Sequence, residues 1–241
     1  KHMNEWVSSS ATWIPDDIVM RNQENKEPNP QDKCWGGLDL ASVSDITALS
    51  LVWSDQQGYI TKSWFWIPED AVNKRLKTSG SGIYQEFANL DNVFITEGNV
   101  TDYDSIRRKV TGYHIEDGVV KFDSDCLATQ YNIESIAFDR FNSSQCVINL
   151  AADGMKMQPY GQGFVSMSPP SKELERLMSE GKIQHGCDPV MRWMFGNVVL
   201  KRDPSGNIKP DKEKSGDKID GIVSLAMAIG QNMTEQTKTP D

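Results

Sequence analysis

The sequence predicts an α/β domain, a mixed β-sheet flanked by helices. Three observations predict it. Runs rich in β-branched and aromatic residues follow one another at 35–41, 46–53 and 59–67. A further apolar run, 135–139, leads into a segment with helical spacing, which is the order of a parallel crossover. Near the C-terminal end, Ile219, Ile222, Val223, Ala226 and Ile229 recur at helical intervals and form one apolar face.

The elements follow in order. Lys1-His2-Met3 reads as an expression scar. Residues 4–32 read as a polar lead-in or linker anchored by Trp6, Trp13 and Ile14 and closed by Pro28-Asn29-Pro30. The strands at 46–53 and 59–67 flank a turn at 54–58 and so form a hairpin. Residues 69–90 have no clear period and carry a flexible break, Gly80-Ser81-Gly82. A short strand at 93–96 precedes a helix capped within Thr101-Asp102-Tyr103-Asp104 and running to about residue 111. Strand 135–139 ends in an acid, helix 143–153 stops at Gly154, and 157–160 is a short strand. Ser168-Pro169-Pro170 opens a helix through residue 180. Residues 197–202 and 207–209 pair around Asp203-Pro204-Ser205-Gly206, and the tail from 234 is polar. The expected division is scar and linker at 1–32, one domain at 33–233, and a tail at 234–241.

Composition removes several classes of function. The 241 residues are 38% hydrophobic and 24% charged, enough for a core and too ordered in character for wholesale disorder. There are 25 basic and 34 acidic residues, a formal charge of −9, which excludes a uniform basic coat for nucleic acid. The longest apolar run, 221–230, is half a membrane span, so no membrane partner is expected. Cys34, Cys126, Cys146 and Cys187 form no Cys-x-x-Cys pair and read as reduced thiols. Neither the phosphate-binding Gly-x-x-x-x-Gly-Lys-[Ser/Thr] nor the Gly-x-Ser-x-Gly elbow is present. His114 and His185 have no ligand partners at metal spacing, and His185 reads as a loop or surface residue.

The acids carry the remaining chemistry. Asp39 lies inside an apolar run, where a carboxylate is costly unless it is paired or holds a cation. Asp139 ends a second apolar strand, and open α/β sheets place their sites at such ends. Asp217 and Asp220 lie three apart at the start of the last helix, and either one suits a place beside the other two acids. Such a set suits hard divalent cations, and two ions about 3.5–4 Å apart activate a water and stabilise the leaving oxygen in phosphodiester cleavage. Bland readings stand beside this one. Asp45 caps a turn, Asp217 is a first-turn acid at a helix dipole, and Asp139 pairs with Arg140. Residues 201–218 are locally basic, with Lys201, Arg202, Lys209, Lys212, Lys214 and Lys218 against four acids. They form a contact for a phosphate backbone or a solvated face. Arg107-Arg108-Lys109 is a second basic cluster open to the same two readings.

These residues resemble a family. Gly37-Leu38-Asp39-Leu40-Ala41, followed by Asp45-Ile46-Thr47-Ala48-Leu49, is similar to the first nuclease motif of phage large terminases. Ile136-Ala137-Phe138-Asp139-Arg140-Phe141 resembles the second, and Asp217-Lys218-Ile219-Asp220-Gly221-Ile222-Val223 resembles the third with its helix. Gly181, Ile183, Pro189, Trp193-Met194 and Asn197-Val198-Val199-Leu200 are similar to the segment before the third motif, and Asn4-Glu5-Trp6-Val7 to the joint after a motor domain. The resemblance implies an RNase H-like nuclease domain that cuts concatemeric double-stranded viral DNA with two Mg²⁺ or Mn²⁺ ions. By motif, Asp39, Asp139 and Asp220 are the expected catalytic and metal-binding acids. Asp217 replaces or assists Asp220, and Asp45 stands behind them. It further implies an N-terminal packaging ATPase domain, portal and small-subunit partners, and work in the host cytoplasm during virion assembly. The rivals are another RNase H-like core, such as a resolvase or transposase, and a non-catalytic docking module of the packaging motor.

Overall fold

The structure is a computed structural model and describes residues 12–41, 45–79, 81–142 and 145–237. The expected scar, the joint at Asn4-Glu5-Trp6-Val7 and the last tail residues lie outside the described residues, as do Gly80 and the start of the helix expected at 143.

In chain order the elements are α1 (Asp16–Arg21), β1 (Lys33–Asp39), β2 (Thr47–Ser54), β3 (Tyr59–Pro68), α2 (Glu69–Ser79), α3 (Ile83–Phe87) and β4 (Val93–Thr96). They continue with α4 (Tyr103–Thr111), β5 (Tyr113–Glu116), β6 (Val119–Phe122), α5 (Leu127–Gln130), β7 (Asn132–Asp139), α6 (Gln145–Ala152) and β8 (Met157–Tyr160). The last are α7 (Phe164–Ser179), β9 (Ile183–Gln184), α8 (Pro189–Asn197), β10 (Leu200–Arg202), β11 (Ile208–Pro210) and α9 (Asp220–Gln236).

The main sheet has the order β4-β3-β2-β1-β7-β8, with β9 joining β3 off this path. β1, β2 and β3 form an antiparallel meander, in which β2 and β3 are the expected hairpin. β7 joins β1 in parallel and β8 joins β7 in parallel, as the strand-to-helix connections require. Side chains alternate along β2 and serve both faces. Ile46, Ala48 and Val52 face a core shared with α7, α8 and α9, while Leu49, Leu51 and Trp53 face a core with α4, α5 and α6. Burial of both faces explains why these strands read as nearly continuous apolar runs.

α9 departs from the one-sided helix that its spacing predicts, because every residue from Asp220 to Asn232 is buried. It lies against β1 and β2 on one side and α7 and α8 on the other. Gly37 permits this approach: a Cβ there would stand 2.0 Å from the Ser224 carbonyl oxygen and 2.7 Å from the Ala228 nitrogen. The buried hydroxyls of Ser63, Ser50 and Ser224 satisfy one another along the same seam, at 2.9 and 2.7 Å.

Several elements differ from the sequence expectation. α7 starts at Phe164, so Pro169 and Pro170 lie inside it and do not open it. Pro170 cannot donate to the Ser166 carbonyl, and the Tyr160 hydroxyl donates there instead at 2.9 Å. α8 runs through Asn197, which shortens the strand expected at 197–202 to β10. Residues 69–79 form α2, which buries only Ala71 and Val72 among its apolar residues and so shows little periodicity. β5 and β6 form a hairpin turned by Asp117 and Gly118, both at positive φ. His185 lies in the loop between β9 and α8, one of its two expected places, but it is buried there, with Nε2 2.9 Å from the Val19 carbonyl. Residues 12–32 pack onto the core through Ile14 and Val19, and the Arg192 guanidinium holds Asp16 in two bonds of 2.8 Å.

Two tests follow from this packing. Gly37→Ala drives a methyl into the α9 backbone and is expected to lower the unfolding free energy in a urea titration by about 3 kcal/mol or more. Asp188 caps α8 by accepting from Val190 N and Met191 N at 2.8 and 3.0 Å, and Asn92 donates to its other oxygen at 2.7 Å. Burial pushes this carboxyl up to about 6, against these hydrogen bonds. A raised acid favours the folded state below its unfolded value of 3.8 and loses that contribution as pH rises through about 6. The stability of the wild type relative to Asp188→Asn should therefore fall by about 2 kcal/mol from pH 4 to pH 7, read by denaturant melts.

Candidate active site

Asp39 is the last residue of β1 and is 1% exposed. Asp220 is the first residue of α9 and is 5% exposed. The packing of α9 across β1 brings the two to one place, and one ammonium bridges them. Lys212 Nζ donates to Asp39 Oδ2 at 2.6 Å and to Asp220 Oδ1 at 2.9 Å. Gln162 Nε2 approaches the second Asp39 oxygen at 3.3 Å. The second Asp220 oxygen is buried without a hydrogen-bond partner.

Electrostatics follow from the enclosure. Burial raises the Asp220 carboxyl above its ordinary range; Lys212 pulls it down, while Asp39 and Asp45 push it further up. Burial works against the Lys212 charge, but the Asp39 and Asp220 carboxylates outweigh it and hold the ammonium protonated.

Asp139 ends β7, whose parallel register with β1 matches Leu38 to Phe138. One step further along both strands, Asp39 and Asp139 stand at the C-terminal ends of neighbouring strands. Asp139 is half-buried, and its Oδ1 accepts from Phe141 N at 3.1 Å. Among the described residues, no three His, Cys, Asp or Glu side chains are grouped closely enough to hold a metal ion. The structure thus joins Asp39 and Asp220 through a cation and places Asp139 on the adjacent strand end, outside that bridge.

Asp217 and Asp220 take separate paths. Arg75 of α2 grips Asp217 through both guanidinium nitrogens, one bond at 2.9 Å, and lies over the rings of Tyr84 and Trp193. Burial tends to raise the Asp217 carboxyl, but Arg75 and the Lys218 N–H hold it below its ordinary range. Asp217 is therefore an anchor for the 211–219 loop and does not share the Lys212 bridge. Asp45 accepts from the adjacent Ile46 N and from Lys218 Nζ, both at 2.8 Å, which gives the same loop a second tie.

The basic residues also divide. Lys212 belongs to the acid pair. Lys209 donates to the Gln162 carbonyl at 3.0 Å, while Lys201, Arg202 and Lys214 are exposed. In the second basic cluster, Arg107 is bound in two places to Asp153 and Arg108 to Asp123. His114 lies against the Gly112 carbonyl. All four cysteines are free thiols, and burial pushes Cys34 and Cys146 up to about 12. Sequence reasoning missed Gln162, Arg75 and the position of Lys212. The signal for Lys212 is a lysine eight residues before an expected buried acid.

The chemistry of the Asp39–Asp220 pair suits a divalent cation. The donors are carboxylate oxygens, which suit hard ions, one Asp220 oxygen is unpartnered, and the Lys212 ammonium lies between the two acids.

A mixed sheet of this order, with acids at adjacent strand ends and at the start of a helix packed across it, defines an RNase H-like nuclease fold. Residues 1–236 match the family model "Terminase large subunit, endonuclease domain", and the chain belongs to that family. It is 30% identical over 240 residues to the terminase large subunit of Enterobacteria phage HK97, covering 98% of this chain and 44% of that protein. The crystal structure of the HK97 large terminase superposes with a TM-score of 0.77 at 27% identity, over 92% of this chain and 44% of that one. The large terminase nuclease of thermophilic phage G20c, solved with bound magnesium, shares the fold at 14% identity and a TM-score of 0.55, over 93% and 98% of the two chains. The same G20c nuclease has been solved with bound cobalt. The chain spans about half the length of the curated relatives it matches.

Removing the guanidinium from Asp217 leaves a half-buried carboxylate unpaired. Arg75→Ala is expected to cost about 1–3 kcal/mol in chemical denaturation and to speed amide exchange across 211–219.

Proposed function

We propose that this chain is the metal-dependent endonuclease domain of a phage large terminase and cleaves concatemeric double-stranded viral DNA during genome packaging by two-metal hydrolysis. The observation that carries the reading is the buried Asp39–Asp220 pair at a strand end, bridged by the Lys212 ammonium. Family membership and the magnesium and cobalt found in the G20c nuclease support it.

Asp39, Asp139 and Asp220 are the residues that would hold the metal ions. When bound, two Mg²⁺ or Mn²⁺ ions supply Lewis acidity that acidifies the attacking water and neutralises the leaving oxygen. Gln162 steadies one Asp39 oxygen, and Lys218 ties Asp45 to the loop that leads into Asp220. Lys201, Arg202 and Lys214, with Lys209 beside them, meet the phosphate backbone. A net charge of −9 makes independent DNA capture weak, so the domain meets DNA beside a packaging ATPase domain, with portal and small terminase subunit as partners, in the host cytoplasm during virion assembly.

Supercoiled plasmid incubated with the protein should be nicked in Mn²⁺ or Mg²⁺ and left intact in EDTA. Asp39→Asn, Asp139→Asn and Asp220→Asn should each slow nicking by at least ~100-fold. Asp217→Asn should retain it. Cutting that survives EDTA and all three substitutions removes the nuclease reading from this site, and DNA-free binding to portal protein without turnover would favour a docking module.

A further inference from the structure

We infer that Lys212 is the resident counter-cation of the acid pair: its ammonium holds Asp39 and Asp220 together in the metal-free domain and yields its place when a divalent cation enters. The inference rests on the nuclease reading above and adds the event that prepares the site.

Three observations carry it. A single nitrogen reaches both carboxylates, at 2.6 and 2.9 Å, where the Asp39 and Asp220 side chains are 1% and 7% exposed. Two carboxylates enclosed this tightly repel one another, and a cation between them is the least costly way to keep both charged. The ammonium leaves the second Asp220 oxygen without a partner, so one monovalent cation does not satisfy the pair. The Lys212 side chain itself is 43% exposed, so its stem has a path to solvent.

The loop holds its shape independently of that bridge. Asp211 N donates to the Val199 carbonyl at 2.9 Å, Ser215 Oγ to the Asp211 carbonyl at 2.7 Å, and Gly216 N to the Asn197 carbonyl at 3.1 Å. Lys212 can therefore swing out without the loop unfolding. A cavity of about 210 Å³ adjoins it, lined by Gln162, Lys201, Lys209, Asp211, Lys212 and Glu213 among others. Exchange of a monovalent for a divalent cation neutralises the two carboxylates and frees the third lysine of a cavity that also holds Asp211 and Glu213, so the freed charge tips the balance toward a DNA phosphate. Metal loading and phosphate engagement thus favour each other.

The test is Mn²⁺ titration by calorimetry together with thermal unfolding in EDTA and in Mn²⁺, with no nuclease assay involved. Lys212→Met keeps the stem and removes the charge. It should unfold at a lower temperature than wild type in EDTA, bind Mn²⁺ about tenfold more tightly, and gain more from Mn²⁺ on heating. Lys212→Arg keeps a cation and should stay within about threefold of wild type in affinity. Equal or weaker Mn²⁺ binding by Lys212→Met overturns the inference. If Lys212→Met does not stay folded in EDTA, Lys212→Gln is titrated in its place, and unchanged affinity there overturns it equally. Asp39→Asn separates the two readings. Loss of Mn²⁺ binding in Asp39→Asn with no gain in Lys212→Met leaves the nuclease reading intact and removes only this inference. Full Mn²⁺ binding by Asp39→Asn removes the metal site itself.

Discussion

The close approach of α9 to β1 is the constraint on which the rest depends. A strand and a helix normally stand apart by the length of the side chains between them. Here Gly37 has none, and the α9 backbone at Ser224 and Ala228 occupies that space. Asp39 lies two residues on, on the same face of β1, and Asp220 lies one helical turn before Ser224. Contact at the glycine thus fixes the separation of the two carboxylates. The serine ladder from β3 through β2 to α9 satisfies the polar atoms that such close packing buries.

The 211–219 loop is the second half of this arrangement. Arg75 holds it at Asp217, Asp45 holds it at Lys218, and Ser215 and Gly216 fasten it to the end of α8 and the residues after it. With both ends fixed, Lys212 is delivered to the acids from a short turn. Asp217 and Asp220 show how three residues place two carboxylates in different surroundings. The first faces an arginine and two aromatic rings, the second a lysine and another acid.

Much of this was legible in the sequence where burial writes a pattern. β1, β2, β3 and β7 are covered on both faces and stand out as apolar runs, and an acid inside such a run marks Asp39 at once. α9 was legible as a helix, although a single apolar face understates a helix enclosed all round. α2 was not legible, because it rests on the core through two small side chains and leaves the rest to solvent. The hairpin of β5 and β6 was missed although Asp117-Gly118 is a strong turn signal; Ile115, Val119 and Phe122 are exposed, so no inward-outward alternation accompanies it. The separate surroundings of Asp217 and Asp220 depend on Arg75, 142 residues from Asp217 in the chain, which no local spacing encodes.

The ends of the sheet order have their own consequence. β4 and β8 are each four residues long, and β8 carries Pro159. A short outer strand offers few free amides, and a proline withholds one of them. Such borders resist lateral growth into larger sheets, so crowded copies of the domain are poor templates for aggregation through their margins.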